Sequence, residues 1–215
     1  MRPKLSQNFL NDNNLAERLA KYAGIFSSET VLEIGPGHGI ITRALCSRAG
    51  KVIAVEKDKL LAERLEYKKF PNTEIVWQDI LDFDFGRADK IVANIPFKIS
   101  STNLEKIFES RKPAVLILQK EFAERLIAKA GERNYSRLSV AAQFFSECKI
   151  LENVSAKKFK PQPRVDAAVV RILPKEPAFP ADKNFWKLVD ALFRHKKKIV
   201  RAALRDEKMK VELPK

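Results

Sequence analysis

TVLEIGPGHG, residues 30–39, is the stretch on which the fold turns. TVLEI is a short apolar run rich in β-branched residues, as a strand buried on both faces requires. Gly35, Gly37 and Gly39 follow within five residues, and a helical pattern opens near residue 40. A glycine-rich turn between a strand and a helix lets backbone approach a ligand without an intervening Cβ, and a helix N-terminus favours an anionic group. The third glycine falls two residues after the second, whereas a dinucleotide fingerprint places it three after, and Pro36 stiffens the turn. The spacing therefore departs from the NAD pattern.

The strand–helix rhythm continues outward from this point. KVIAV (51–55), EIVW (74–77), DKIVAN (89–94) and AVLIL (114–118) read as strands. Helical stretches fall near 40–49, 58–69, 101–110 and 120–129. Upstream, Leu15, Leu19 and Tyr22 share a helical face, with Asn/Asp candidates for the cap and Gly24 as a stop. Downstream, SRLSVAAQFFSE (136–147) reads as a helix, and KILENV (149–154) and AAVVRIL (167–173) read as late strands. This alternation predicts an α/β fold with a doubly wound, mostly parallel sheet. The proline cluster PKEPAFP (174–180) reads as a linker to one basic amphipathic segment, dividing the chain into residues 1–175 and 176–215.

Composition narrows the function. The 215 residues carry 41 Lys+Arg against 27 Asp+Glu, a net charge of +14. Such an excess points to a polyanionic partner, nucleic acid first, with a merely soluble basic surface as the plain alternative. The opening MRPKLSQNFLND lacks an apolar core, and the longest aliphatic run is Ala114–Leu118, so neither a signal peptide nor a membrane span is expected. Cys46 and Cys148 lack metal-ligand spacing and read as reduced thiols of a cytoplasmic protein. His38 and His195 stand apart from other ligand types, so no metal is expected. Tyr135 is a candidate for RNA contact or for packing.

Chemistry-bearing residues recur at strand ends. Glu56 closes the second strand, placed to accept both hydroxyls of a ribose. Asp79 follows the third, and Asn94 closes the fourth in VANIPFKISS (92–101). Singly these read as a tight turn, a surface Glu, a helix-capping Asp and an ordinary strand end. Together, at successive carboxyl ends of a parallel sheet, they point to a nucleoside-containing cofactor.

EIGPGHG followed by VEKD, QDILDFD and ANIPF resembles the S-adenosylmethionine-dependent rRNA adenine N6-dimethyltransferases. LSQNFLND (5–12), QKEFAERLIAKAGERNYSRLSV (119–140) and FKPQPRVDAAVVRI (159–172) extend the resemblance from about residue 5 to about 205. It implies a Rossmann-like methyltransferase domain with a short helical C-terminal extension, truncated against the family's helical domain, and S-adenosylmethionine as cofactor. It places Asn8, Leu10, Gly35, Gly37, Glu56, Asp79, Ile80 and Asn94 around the cofactor, with Glu56 on the ribose and Asp79 on the adenine amino group. Asn94 and a carbonyl of Ile95 or Pro96 would accept from the target N6, and Phe97 would stack on the flipped base. The family commonly has Tyr where this chain has Phe97, a change that keeps stacking and loses a hydroxyl.

Two branches compete within the resemblance. Ser6 is a feature also seen in the Erm type, which acts on the large subunit and confers macrolide resistance. QKEFAERLIAK, RLSV, VDAAVV and LFRHKKK are closer to the KsgA type. The favoured reading is dimethylation of two adjacent adenosines near the 3′ end of small-subunit rRNA, by a monomer acting on that RNA or on a pre-ribosomal small subunit. A non-catalytic assembly factor is the alternative from another class. A DNA adenine methyltransferase is disfavoured, because those enzymes commonly have a second proline where Ile95 stands. Lys157, Lys158, Lys160, Arg164, Arg194, Lys196–Lys198, Arg201 and Arg205 are candidate phosphate grips, or else solvated charged faces.

Overall fold

The structure is a computed structural model and describes residues 8–96, 101–177, 179–180, 182–195 and 198–207, with backbone only at 101–103. Its centre is a seven-stranded sheet. Five parallel strands come first in sequence: β2 (Thr30–Ile34), β3 (Lys51–Glu56), β4 (Thr73–Trp77), β5 (Lys90–Asn94) and β6 (Ala114–Gln119). β9 (Ala167–Pro174) and β7 (Ser146–Val154) join antiparallel beyond β6, giving the order β4-β3-β2-β5-β6-β9-β7. The order reverses between β2 and β5. That reversal opens a crevice at the carboxyl ends of these two strands, where open α/β sheets bind ligands.

Both faces of the sheet are covered, as parallel strands require. Leu32, Ile53 and Ile91 face the side on which α4 (Ser101–Glu109), α5 (Lys120–Ile127) and α6 (Arg137–Phe145) bury Leu104, Leu126 and Ala142. Val31, Val52 and Val92 face α1 (Asn13–Tyr22) and α2 (Ile40–Cys46), which supply Leu15, Leu19 and Leu45. Asp12 caps α1 through a bond from the Leu15 amide at 2.8 Å, and Gly24, at φ +57°, ends it. The crossover from β3 to β4 is α3 (Lys59–Tyr67), capped by Asp58.

The sequence reading places every parallel strand to within a residue, and four differences appear elsewhere. The helix expected over 136–147 stops at Phe145, because the Ser146 hydroxyl donates to the Ala142 carbonyl at 2.7 Å and Ser146 already starts β7. The last two sheet strands run antiparallel, a direction that no periodicity encodes. A two-stranded ribbon was not anticipated: β1 (Phe9–Leu10) pairs with β8 (Phe159–Lys160), tying the N-terminal segment to the FKPQPR stretch. The basic segment forms two helices, α7 (Lys183–Arg194) and α8 (Val200–Asp206), rather than one. Glu207 draws them together by accepting from Arg194 at 2.9 Å and from His195 at 3.0 Å.

Candidate active site at the strand ends

The crevice is built from the ends of β2 and β5 and from the ribbon strand β1. Gly35, Gly37 and Gly39 all take positive φ, +65°, +56° and +79°. A Cβ on Gly37 would lie 2.7 Å from the Phe9 ring, and one on Gly39 would lie 2.6 Å from Phe70. At both positions glycine answers a backbone and a packing demand together. Phe9 also packs on His38, with ring centroids 4.2 Å apart and the planes tilted by 38°. Burial, then the charges of Lys68 and Arg64, holds the His38 pKa below its ordinary value. A small cavity joins Leu10, Gly35, Gly37 and Ile41 to Asn94.

Asn94 is the decisive side chain. Its amide nitrogen donates to the Asn8 carbonyl at 2.9 Å, which fixes the orientation of the carboxamide. Its Oδ1 is buried and has no partner among the described residues. An orphaned buried acceptor costs about 1–3 kcal/mol, so this oxygen is set for a donor from outside the chain. The Ile95 amide is already spent on the Ile117 carbonyl at 3.1 Å, and Pro96 has no donor. The NIP turn therefore presents acceptors only. Phe97 lies outside the described residues, as do Lys196 and Lys197.

Glu56 is 4% exposed, and each carboxylate oxygen takes one backbone amide, Gly37 at 3.2 Å and Asp58 at 3.0 Å. Burial raises its pKa, and the two amides oppose that rise. Asp79, two residues beyond β4, takes the Leu81 amide at 3.1 Å and Lys57 at 2.6 Å. Lys57 chiefly holds the Asp79 carboxyl below the usual range. The Gln78 amide bonds the Glu56 carbonyl at 3.1 Å, so the turn carrying Asp79 and Ile80 runs beside the end of β3. Gly35, Gly37, Leu10, Asn94 and Glu56 thus form one constellation, and Asp79 and Ile80 flank it along the same sheet edge.

The site contains residues that the sequence reading passed over. Phe9 packs on the glycine turn, and only its position between Asn8 and Leu10 signals it. Lys57 engages Asp79, and its place next to Glu56 in VEKD was the available clue. Beneath the site, Glu33, one residue before the end of β2, is 1% exposed, and its carboxyl oxygens have no hydrogen-bond partner among the described residues. A carboxyl residue inside the otherwise apolar run TVLEI was the available signal.

The geometry suits an adenosyl cofactor: a glycine-rich turn, a buried carboxylate with lone pairs left for hydroxyls, and, beside the same cavity, a buried acceptor with no partner among the described residues. A family model described as ribosomal RNA adenine dimethylase matches residues 1–213. The chain belongs to this family. A probable ribosomal RNA small subunit methyltransferase A of Thermococcus kodakarensis is 44% identical over 204 residues, 94% of this chain and 72% of that protein. Among solved structures, a dimethyladenosine transferase from Plasmodium falciparum superposes with a TM-score of 0.83 at 35% identity, over 92% of this chain and 74% of that one. The 23S rRNA methyltransferase ErmE follows at 0.75 and 30%, over 93% of this chain and 84% of that one. This member of the ribosomal RNA adenine dimethylase family is a methyltransferase, its cofactor is S-adenosylmethionine, and its substrate is rRNA. No helix among the described residues is long and apolar enough to cross a membrane.

Proposed function

We propose that this enzyme dimethylates N6 of two adjacent adenosines near the 3′ end of small-subunit rRNA, with the residues at the strand ends in the following roles. S-adenosylmethionine supplies an electrophilic methyl group on a sulfonium. Gly35 and Gly37 admit its amino-acid portion, beside Asn8 and Leu10 on the ribbon side. Glu56 accepts the ribose hydroxyls with its remaining lone pairs, and Asp79 with Ile80 receives the adenine. Asn94 Oδ1 and the carbonyl of Ile95 or Pro96 accept the two N–H bonds of the target N6. Those acceptors hold the nitrogen pyramidal, with its lone pair out of the ring; each transfer releases one N6 proton, so in the second round one acceptor holds the single N–H that remains. The chain contributes orientation and electrostatics.

The observation carrying this reading is the buried, unpartnered Oδ1 of Asn94, in a carboxamide whose other end is fixed by Asn8. Residues 176–215 act on this reading as an appendage that leaves the cofactor crevice to residues 1–175. Small-subunit specificity is supported by the small-subunit names of the relatives and by the KsgA-like QKEFAERLIAK and VDAAVV motifs. Labelled cofactor offered with small subunits, large subunits and duplex DNA separately tests it, and label should enter small-subunit adenosines. Asn94→Ala should lower turnover by roughly 100-fold or more, the usual loss of one preorganised polar contact, with the fold retained. Full turnover in that variant removes Asn94 from the chemistry, and label confined to large subunits moves the enzyme to the Erm type.

A further inference from the structure

Lys106 lies on α4, between Glu105 and the fully buried Ile107 and Phe108. Its ammonium reaches out of that helix and donates to three backbone carbonyls of one turn. Ile80 accepts at 3.1 Å, Phe83 accepts at 2.8 Å, and Leu81 accepts between them. The ring of Phe85 lies 5.0 Å from the same nitrogen. An ammonium has three N–H bonds, and here one segment of four residues engages all three. The turn is otherwise closed by its own short bonds, Asp82 amide to Asp79 carbonyl at 3.0 Å and Phe83 amide to Ile80 carbonyl at 3.3 Å.

The arrangement has a physical consequence. Three carbonyl dipoles aimed at one point repel one another unless a cation occupies that point, so the shape of the turn depends on the lysine charge. The same turn carries Asp79, whose carboxylate accepts the Leu81 amide at 3.1 Å, so a change in the path of residues 80–83 moves the carboxylate with it. Lys106 also adds, after Lys57, to the charges that keep the Asp79 carboxyl ionised. The helix bearing Lys106 opens at Ser101, five residues beyond Pro96, so one side chain joins the segment after β4 to the helix that follows the NIP turn.

We propose that Lys106 is a positioning residue that sets the turn 79–83 in the shape that receives the adenine end of the cofactor. The inference rests on the proposed roles of Asp79 and Ile80. It assigns Lys106 no contact with cofactor or RNA.

The test uses the full chain, calorimetry and two probes, S-adenosylmethionine and 5′-methylthioadenosine, which keeps adenine and ribose and lacks the amino acid. In Lys106→Met the alkyl stem stays and the charge goes. Affinity for both probes should fall by the same factor, roughly tenfold, the loss expected when the contact between Asp79 and the adenine is weakened. At saturating cofactor, kcat on small subunits should be unchanged, so the loss appears in KM alone. Lys106→Gln, which keeps two N–H donors, should recover part of the affinity, and it serves as the variant of record if Lys106→Met does not fold. A role confined to stability would lower melting and leave both affinities as they are. Asp79→Ala separates the two layers of the argument. If it weakens both probes and Lys106→Met weakens neither, the positioning role is wrong and the site stands. If Asp79→Ala changes neither probe, the adenine assignment fails and the role of Lys106 fails with it.

Discussion

Glu33 is the residue whose state most depends on the fold around it. Burial pushes its carboxyl up to about 8, the facing Thr42 opposes the rise, and the charge of Glu56 adds to it. The group is therefore protonated in the folded enzyme at neutral pH and ionised in the unfolded chain above about 4.5. Between those values the folded state binds the extra proton, so raising the pH destabilises it. The slope is roughly 1.4 kcal/mol per pH unit for one such group, and the loss levels off once the folded state also ionises. Glu33→Gln removes this proton uptake. Its unfolding free energy should stay flatter than that of the wild type from pH 5 to 8, as denaturant titrations at several pH values would show. Parallel curves for the two proteins would mean that Glu33 is charged or solvated in the fold. The glycines, Glu56, Asp79 and Asn94 were legible at this scale because chain order places them at strand ends. The pairing of Asp79 with Lys57, and of the Asn94 amide with Asn8, was not legible. Those are distances across the crevice, and sequence spacing does not contain them.

Elements show a similar division. The parallel strands and their helices were readable because each is a continuous apolar run or a helical face closed by Asp12, Gly24 or Asp58. β1 and β8 escaped because two residues are too few to show a period, and their pairing spans about 150 residues of chain. How α7 sits was also hidden. It packs through Phe185 and Trp186 against Phe144 and Phe145 of α6, with ring centroids 4.9–6.1 Å apart among these four. Arg137 lies over the Trp186 ring and forms ion pairs with Glu105 and Asp190. The aromatic set anchors α7 to α6, and none of these side chains lines the cavity beside Asn94. Trp186→Ala should cost about 2–4 kcal/mol, through lost apolar burial and ring contacts. It should also speed hydrogen exchange across 183–206 and leave cofactor affinity unchanged. A matching fall in cofactor affinity would show that the two regions do not act independently.

For the molecule as a whole, the net charge of +14 does not translate directly into grip on RNA. Several of the cations are engaged inside the fold: Lys158 with Asp12, Arg194 with Glu207, Lys198 with Asp206, and Arg18 with Glu152 at 3.0 Å. In each of these pairs a carboxylate offsets part of the cation's charge, which weakens its pull on a phosphate. Lys157, Lys160 and Arg164, in contrast, are exposed along the segment that carries β8, next to the ribbon that borders the crevice. If this ridge grips the phosphates beside a target held at Asn94, each contact releases counterions. The logarithm of the binding constant should then fall linearly with the logarithm of salt, by about 0.7–0.9 per phosphate neutralised. Cofactor binding, which on the proposed roles uses hydrogen bonds at a buried crevice, should show little salt response. Replacing Lys157, Lys160 and Arg164 together by Gln should lower the RNA slope by up to about 2–3. Cofactor affinity and turnover at saturating RNA should remain near wild type. An unchanged slope would clear this ridge of phosphate contact and direct the search to α7 and α8, whose cations would then exchange Glu207 and Asp206 for the RNA backbone.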